Sequence, residues 1–437
     1  MQILNKNFLK KLSQIFFLIV FLLLFINTSY QGENIIKYPV NIFLRADPLV
    51  FLTTLDDSKT RIILAIPSLI FVILTLFLGR FFCWWVCPLG TIFDLLSNKK
   101  LVNLKFGRFI NKIRNLRFYI LIFFLIGSIL LSIQLIWLMD PIVMLIRFLT
   151  LSITPFFTKY LFNLAFLTGV IFISILLINL FYKRFWCISF CPLGALYSLI
   201  SKIGIKRKSE KINFERRGLL LTGISSLILI PMLKFGPNKK FGLLRPPGTP
   251  EDEEFLEHCI RCGECMKVCP TNALQPALLE SGIDGIYSPK FFMRNGYCEY
   301  NCNLCGQVCP TGAIENLTLQ KKQKYVIGLA YIDKNRCYPF KEGINCLVCE
   351  EHCPTPDKAI KFRLYNYSRL GKLVKEPYVI SDLCIGCGIC ETKCPVEGNS
   401  AIVVEPHGLR NGDILNQKAT GFSGSWVNPV RKFSLTG

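Results

Sequence analysis

Histidine is almost missing from this chain of 437 residues: His258, His352 and His407 are the whole complement, and none falls in an apolar run. A haem held between membrane helices by paired histidines is therefore excluded. With no C-x-x-C-H anywhere, so is a covalently attached haem. Acidic side chains are scarce too, 29 against 51 lysines and arginines, for a formal charge of +22. The basic residues flank apolar runs rather than interleaving with aromatics in a patch, which speaks for membrane orientation and against nucleic acid. There is no flavin or nucleotide fingerprint, so a stand-alone substrate-transforming enzyme lacks support.

Cysteine is what the chain has in quantity, 20 in all, sixteen of them between Cys259 and Cys394. They form four groups, each closing on Cys-Pro. Cys259, Cys262, Cys265 and Cys269 have the C-x2-C-x2-C-x3-C-P spacing of a bacterial [4Fe-4S] ferredoxin, and so do Cys384, Cys387, Cys390 and Cys394. The second group, Cys298, Cys302, Cys305 and Cys309, lengthens the first gap to three residues; the third, Cys337, Cys346, Cys349 and Cys353, lengthens it to eight. A tight loop can offer three thiolates to three corners of a cubane, and the cysteine before proline is free to ligate a partner cluster. Four groups of four thiolates predict four [4Fe-4S] clusters. Zinc sites rarely repeat this proline-terminated spacing, and the gaps are too short and regular for a disulfide framework. After each Cys-Pro comes an apolar pair, Ala273-Leu274, Ala313-Ile314, Ala359-Ile360 and Ala401-Ile402, expected to shield the cluster.

The other half is of a different kind. Half the chain is hydrophobic, 51%, and apolar runs lie at about 12–28, 62–79, 118–139 and 161–181, each near the roughly 20 residues that cross about 30 Å of hydrocarbon. The first run has a basic flank but no small-x-small cleavage site, and is read as an uncleaved span. The loops after the second and fourth runs are basic (Lys99, Lys100, Lys105, Arg108, Lys112; Lys206, Arg207, Lys208, Lys211) and mark the cytoplasmic side. Arg216-Arg217 precedes a fifth run ending near Phe235 and looks like a twin-arginine signal; as that signal or as a plain helix, it sends the downstream chain to the outer side. Arg80, Asp94, Asp140 and Arg147 stand at span ends, where charge lines a quinone site or simply marks the interface.

This half repeats itself. Arg80-Phe-Phe-Cys83-Trp-Trp-Val-Cys87-Pro88-Leu89-Gly90 is echoed by Arg184-Phe-Trp-Cys187-Ile-Ser-Phe-Cys191-Pro192-Leu193-Gly194. Each hairpin ends in C-x3-C-P with its sulfurs on one helix face, and about a pseudo-twofold axis the four thiols can meet. They are candidates for a shared metal or cluster site or a reversible dithiol pair, against the plainer reading of cysteine as a small apolar residue. The predicted fold class is an α-helical membrane bundle of four to five spans built as a tandem hairpin repeat, followed by an α+β polyferredoxin domain with two bacterial-ferredoxin-like cluster pairs. The boundaries are 1–210 for the membrane domain, 211–236 for the fifth span, 237–258 for a linker, 259–405 for the cluster domain and 406–437 for a tail.

On these motifs, residues from about 243 to 402 resemble the four-cluster ferredoxin-type subunit of periplasmic nitrate reductase systems and its relative in methylamine utilisation. Shared features are Arg-Pro-Pro-Gly before Cys259, the stretched second and third groups, and the upstream arginine pair. Residues from about 1 to 210 resemble the membrane partner of that subunit, marked by two C-x3-C-P motifs. The resemblance implies quinol oxidation in the inner membrane and delivery of electrons through the clusters to an outer-face redox protein, the chain being a quinol dehydrogenase component. It also implies that Cys259, Cys262 and Cys265 share a cluster with Cys394, and Cys384, Cys387 and Cys390 with Cys269, the middle groups exchanging likewise. Here the two subunits are one polypeptide, and the membrane partner's own ferredoxin motifs are missing after the second C-x3-C-P. The competing function is a maturation or regulatory factor for a respiratory metalloenzyme, acting through the C-x3-C-P thiols.

Overall fold

The computed structural model describes residues 2–36, 41–54, 63–97, 113–131, 134–157, 162, 164–204, 216–234, 242–367 and 372–406. The expected basic-loop residues Lys99 to Lys112 and Lys206 to Lys211, the start of the linker and the 407–437 tail lie outside them.

Each of the five apolar runs contains a helix: Gln2–Asn27, Ile66–Leu78, Leu116–Leu131, Ala165–Phe181 and Arg216–Lys234. Among the described residues one apolar helix, Phe8–Asn27, is long enough to cross a membrane; the others have apolar stretches of 10–17 residues. Their outward faces are aliphatic and aromatic, with Ile66, Leu69, Ile70, Ile73 and Phe77 exposed on one and Phe166, Leu167, Val170 and Ile171 on another. Apolar surface on this scale marks contact with another protein or with lipid.

Two segments differ from expectation. The third run does not stay helical to Met139: the helix ends by Leu131, and Ile136–Leu138 forms a separate single turn. The Gln134 side chain causes part of this by accepting the Ile136 amide, 3.2 Å. Second, residues 140–157 are not a plain loop. Asp140 accepts the amides of Ile142 and Val143, both 2.9 Å, and starts a buried helix, Pro141–Phe148. An aspartate N-cap with proline in the first turn is a strong start signal, and the apolar residues after it let the helix bury. Asp47 does the same for Pro48–Thr53, accepting the Leu49 amide at 2.8 Å. Asp47-Pro-Leu-Val and Asp140-Pro-Ile-Val are thus a second repeated motif, so each repeat runs from Asp-Pro through an apolar helix to C-x3-C-P.

The cluster half is built from three two-stranded antiparallel sheets. β1 (Leu274–Pro276) pairs with β2 (Pro289–Phe291), β3 (Gly328–Ile332) with β6 (Ile402–Pro406), and β4 (Ile360–Tyr367) with β5 (Lys372–Val379). Between them lie four short helices, Glu264–Lys267, Leu304–Val308, Val348–Glu351 and Ile389–Lys393, each carrying the third cysteine of its group. The first packs on the second and the third on the fourth.

This half sits on the helical half through buried polar and aromatic contacts. Arg261 donates to the Gln134 carbonyl, 2.7 Å, and its guanidinium lies 4.9 Å from the Trp137 ring centre. Arg147 donates to the Trp137 carbonyl, 2.9 Å, and lies over Tyr287 at 4.6 Å. Thr168 gives its proton to the Leu164 carbonyl, so the Tyr287 hydroxyl donates to Thr168 Oγ1, 2.9 Å. Asn41 donates to the Val308 carbonyl, 2.9 Å, and Lys267 reaches Phe25 near the end of the first helix.

Candidate metal centres

All sixteen ferredoxin-type cysteines are free thiols, each buried or half-buried. Their electrostatic neighbours sort them into four quartets. Cys259, Cys262 and Cys265 are joined by Cys309. Cys298, Cys302 and Cys305 are joined by Cys269. Cys337, Cys346, Cys349 and Cys394 line one apolar void, and Cys384, Cys387, Cys390 and Cys353 line another.

The cross-exchange of the fourth cysteine is as expected, but the partners are not. The resemblance implied that the first group pairs with the fourth and the second with the third; instead the first pairs with the second and the third with the fourth. The cause is local. β1 and β2 close the short connection between the first two groups, whereas β3 and β6 bring the start of the third group to the end of the fourth. Proline after each fourth cysteine turns its thiol away from its own loop and onto the neighbouring helix.

The surroundings fit iron–sulfur clusters. The four apolar pairs after Cys-Pro are all 3% exposed or less, which excludes water as their spacing promised. Backbone amides aim at the exchanged sulfurs: Ile314 at Cys309, 3.4 Å, Ala359 at Cys353, 3.3 Å, and Ala401 at Cys394, 3.3 Å. Hydrogen bonds to ligand sulfur tune cluster potential. Threonine hydroxyls add to this at Thr311 and Thr355, each two residues after its cysteine, whereas Thr271 gives its proton to the Tyr297 carbonyl. The sequence signal for them is Cys-Pro-Thr, present in three of the four groups. Among the described residues no group of three or more His, Cys, Asp or Glu closes around a point fit for a lone metal ion. Burial pushes the Cys298, Cys337 and Cys349 thiols up to about 12, and neighbouring sulfurs push the same way, so the bare quartets hold protons that metal must displace.

The C-x3-C-P cysteines also converge. Cys87 feels Cys187 and Cys83, Cys187 feels Cys83, and Cys191 feels both Cys187 and Cys83. The helical i, i+4 geometry expected of each pair is only partly realised. Phe82–Val86 is a widened π-type turn and Phe185–Ser189 an α-helical one, while Cys87 and Cys191 lie outside both and cap the next, proline-initiated helices. Of the charged residues noted at span ends, Asp94 receives Arg184 in a two-point contact, 2.8 and 2.7 Å. Arg147 belongs to the seam with the cluster half. Asp140 meets Asp47, a partner the sequence did not suggest: both are fully buried and their carboxyls are within hydrogen-bonding reach.

Comparison with known proteins shows the same division. A 4Fe-4S binding domain family matches residues 60–110 and again 164–210, a 4Fe-4S dicluster domain matches 258–313, and another 4Fe-4S binding domain matches 377–397. The dicluster match spans the first two cysteine groups, the pair joined in the structure. Ferredoxin-type protein NapG of Escherichia coli is 38% identical over 173 residues, 39% of this chain and 74% of that protein. Methylamine utilization ferredoxin-type protein MauM of Methylorubrum extorquens is 33% identical over 208 residues, 45% of this chain and 92% of that one. Ferredoxin-type protein NapF of Haemophilus influenzae is 32% identical over 184 residues, covering 42% and 91%. No solved structure matches significantly.

Proposed function

The chain belongs, over its cysteine-rich region, to the family of ferredoxin-type iron–sulfur proteins that includes NapG and MauM, and from that premise we propose that it is a multi-pass inner-membrane electron-transfer protein. In this reading it takes electrons from quinol, or from a cytoplasmic donor, and gives them to a redox protein on the outer face. The observation that carries the proposal is the gathering of sixteen thiols into four quartets, paired two and two, seated directly on the apolar helical half. A bound [4Fe-4S] cluster supplies one-electron transfer at a potential set by its surroundings. The chain's own part is to hold sixteen thiolates, keep water out with the buried apolar pairs, and aim amides at sulfur.

The seating supports the direction. Gln14 on the first helix donates to Asp94 and to the Trp84 carbonyl beside Cys83, whereas Phe25 on the same helix meets Lys267 between Cys265 and Cys269. At 1.5 Å per residue those two levels are about 16 Å apart along the helix axis. The C-x3-C-P face lies toward the basic N-terminus and the cluster half toward the far end, the arrangement that a cytoplasmic basic side and an outer cluster domain require.

Potentiometric EPR on anaerobic membranes, with a quinol analogue as reductant, tests the donor. Reduction of at least one cluster by quinol supports the reading; clusters that all reduce only well below the quinol couple would rule quinol out. Protease treatment of intact spheroplasts tests the side, with cleavage of the cysteine-rich half before lysis expected.

A further inference from the structure

We propose that the groove beside β3 and β5 is the port through which the chain passes electrons to its outer-face partner, and that the partner is a one-electron redox protein with carboxylates around its exposed cofactor edge. The proposal rests on the outward electron-transfer reading and deepens it by giving the surface and the charge of what docks there. The groove has a volume of about 440 Å³. Its walls are shared with both cluster sites of the second pair. Ala330 lines the groove and also the void of Cys384, Cys387 and Cys390, while Ile332 and Pro377 line the groove and also the void of Cys337, Cys346 and Cys349. Single residues therefore stand between this surface and two clusters. Electron tunnelling falls off steeply with distance, so a partner seated here has only one layer of protein to cross.

The groove also lies at the right end of the chain of clusters. The contacts with the helical half through Arg261, Lys267, Tyr287 and Val308 all fall within or between the first two cysteine groups. The second pair is joined to the first. Cys298 donates its amide to the Cys387 carbonyl, 2.8 Å, and Arg294 donates to the Cys394 carbonyl, 3.1 Å. Cys298 belongs to the second group and Cys387 to the fourth, so ligand-bearing residues of the two pairs meet through one hydrogen bond. Electrons arriving from the helical half reach the first pair, cross where Cys298 meets Cys387, and come to the groove last.

The chemistry of the surface says what it receives. Tyr331 and Tyr378 are exposed over the buried Leu329 and Ala330, and Val403, opposite Tyr331 in the β3–β6 ladder, is exposed beside them. Exposed aromatic side chains of this kind are enriched in protein interfaces. The rim is cationic. Lys334 and Arg363 line it, Lys361 stands on the same face as its cross-strand neighbour Tyr378, and among the described residues no carboxylate lines the groove. Glu376, opposite Arg363, is 5% exposed and accepts from its guanidinium at 3.4 Å, so it presents no free charge outward. Positive charge around an apolar centre steers a carboxylate-ringed partner into place, and a small contact of this type also lets it leave. One electron passes from a reduced cluster to the partner's oxidised centre; no bond forms or breaks, and no proton moves.

Stopped-flow oxidation of the reduced full-length protein by cytochrome c tests the port, with the probe used in its native basic form and after succinylation, which replaces lysine charge by carboxylate. The succinylated probe is expected to react at least about tenfold faster than the native one at low salt, and to slow as salt rises. Lys334→Glu combined with Lys361→Glu should slow that reaction about tenfold and speed the native one, whereas Lys321→Glu, at an exposed lysine outside the groove, should change either by less than about twofold. Iron content and EPR spectra should stay the same in all of them. Carbodiimide crosslinking of the wild-type protein should join Lys334 or Lys361 to a carboxylate of the succinylated probe, and it decides the matter should a variant lose iron. Equal slowing by Lys321→Glu, unchanged rates in the double variant, a faster reaction with the native probe, or crosslinks confined to other lysines would each overturn the proposal. Unchanged rates in the double variant sink the groove and leave the electron-transfer reading standing; no transfer to either form of the probe would overturn both.

Discussion

Asp47 and Asp140 face each other carboxyl to carboxyl, both without exposed surface, each capping a short helix from a different repeat. Two carboxyl groups can hydrogen-bond only if one keeps its proton. A hydrogen bond between them would therefore join the two repeats through one shared proton. Replacing Asp140 by Asn keeps both the cap and a hydrogen-bond partner for Asp47, and should change thermal stability little. Asp140→Ala removes a cap worth about 1 kcal/mol and strands a buried carboxyl at a further cost of about 1–3 kcal/mol. Melting curves of the detergent-solubilised protein should rank wild type and Asp140→Asn well above Asp140→Ala; equal melting for Asn and Ala would show that the contact contributes nothing.

Cys309 and Cys394 offer a direct test of cluster pairing. Cys309→Ser should disturb the cluster of Cys259, Cys262 and Cys265 and leave that of Cys384, Cys387 and Cys390 unaffected; Cys353→Ser should do the reverse. Cys394→Ser should disturb only the cluster of Cys337, Cys346 and Cys349. EPR spectra of the three variants, reduced under identical conditions, distinguish this from the assignment in which Cys394 serves the first group.

The four cysteine groups were legible in the sequence because ligand spacing within a loop is a local property, fixed by the reach of three or four residues. The pairing was not legible. Which loop receives a fourth cysteine depends on the β3–β6 ladder, formed by strands some seventy positions apart, and nothing in C-x3-C-P records that. The helices of the N-terminal half were legible from their apolar runs. The Pro141–Phe148 helix was hidden because its polar residues, Asp140 and Arg147, look like an interface loop; both are buried against partners that only the fold provides. Asp47-Pro-Leu-Val and Asp140-Pro-Ile-Val stood in view as a repeat, but aspartate in an apolar stretch reads as a helix end unless its opposite number is known.

The seam between the halves predicts a graded response. Tyr287→Phe removes only the hydrogen bond to Thr168, worth about 1 kcal/mol. Arg147→Ala removes the bond to the Trp137 carbonyl and the cation stacked on Tyr287, and should cost about 2–4 kcal/mol. Hydrogen exchange across residues 134–157 and 281–291 should rise slightly in the first variant and markedly in the second, with iron content unchanged in both.

Empty quartets should respond to pH in one direction. With Cys298, Cys337 and Cys349 pushed up to about 12 by burial and unfolded thiols near 8.5, the folded apo-protein binds more protons than the unfolded chain above about pH 8.5. Its stability is therefore intact below that pH and falls as pH rises from there toward 12. Iron-loaded protein, whose thiolates have already given up their protons, should lack this alkaline loss. Chelator-stripped and intact protein compared by denaturant unfolding at pH 7 and pH 9.5 would reveal it, and equal losses in both would contradict the assignment.

The most direct test of the whole account is the metal and sulfide content of anaerobically purified protein. Iron and acid-labile sulfide in equal amounts, at least about 16 of each per chain, with brown absorbance that bleaches on reduction, is the predicted result. Zinc in place of iron, or iron without labile sulfide, would contradict it.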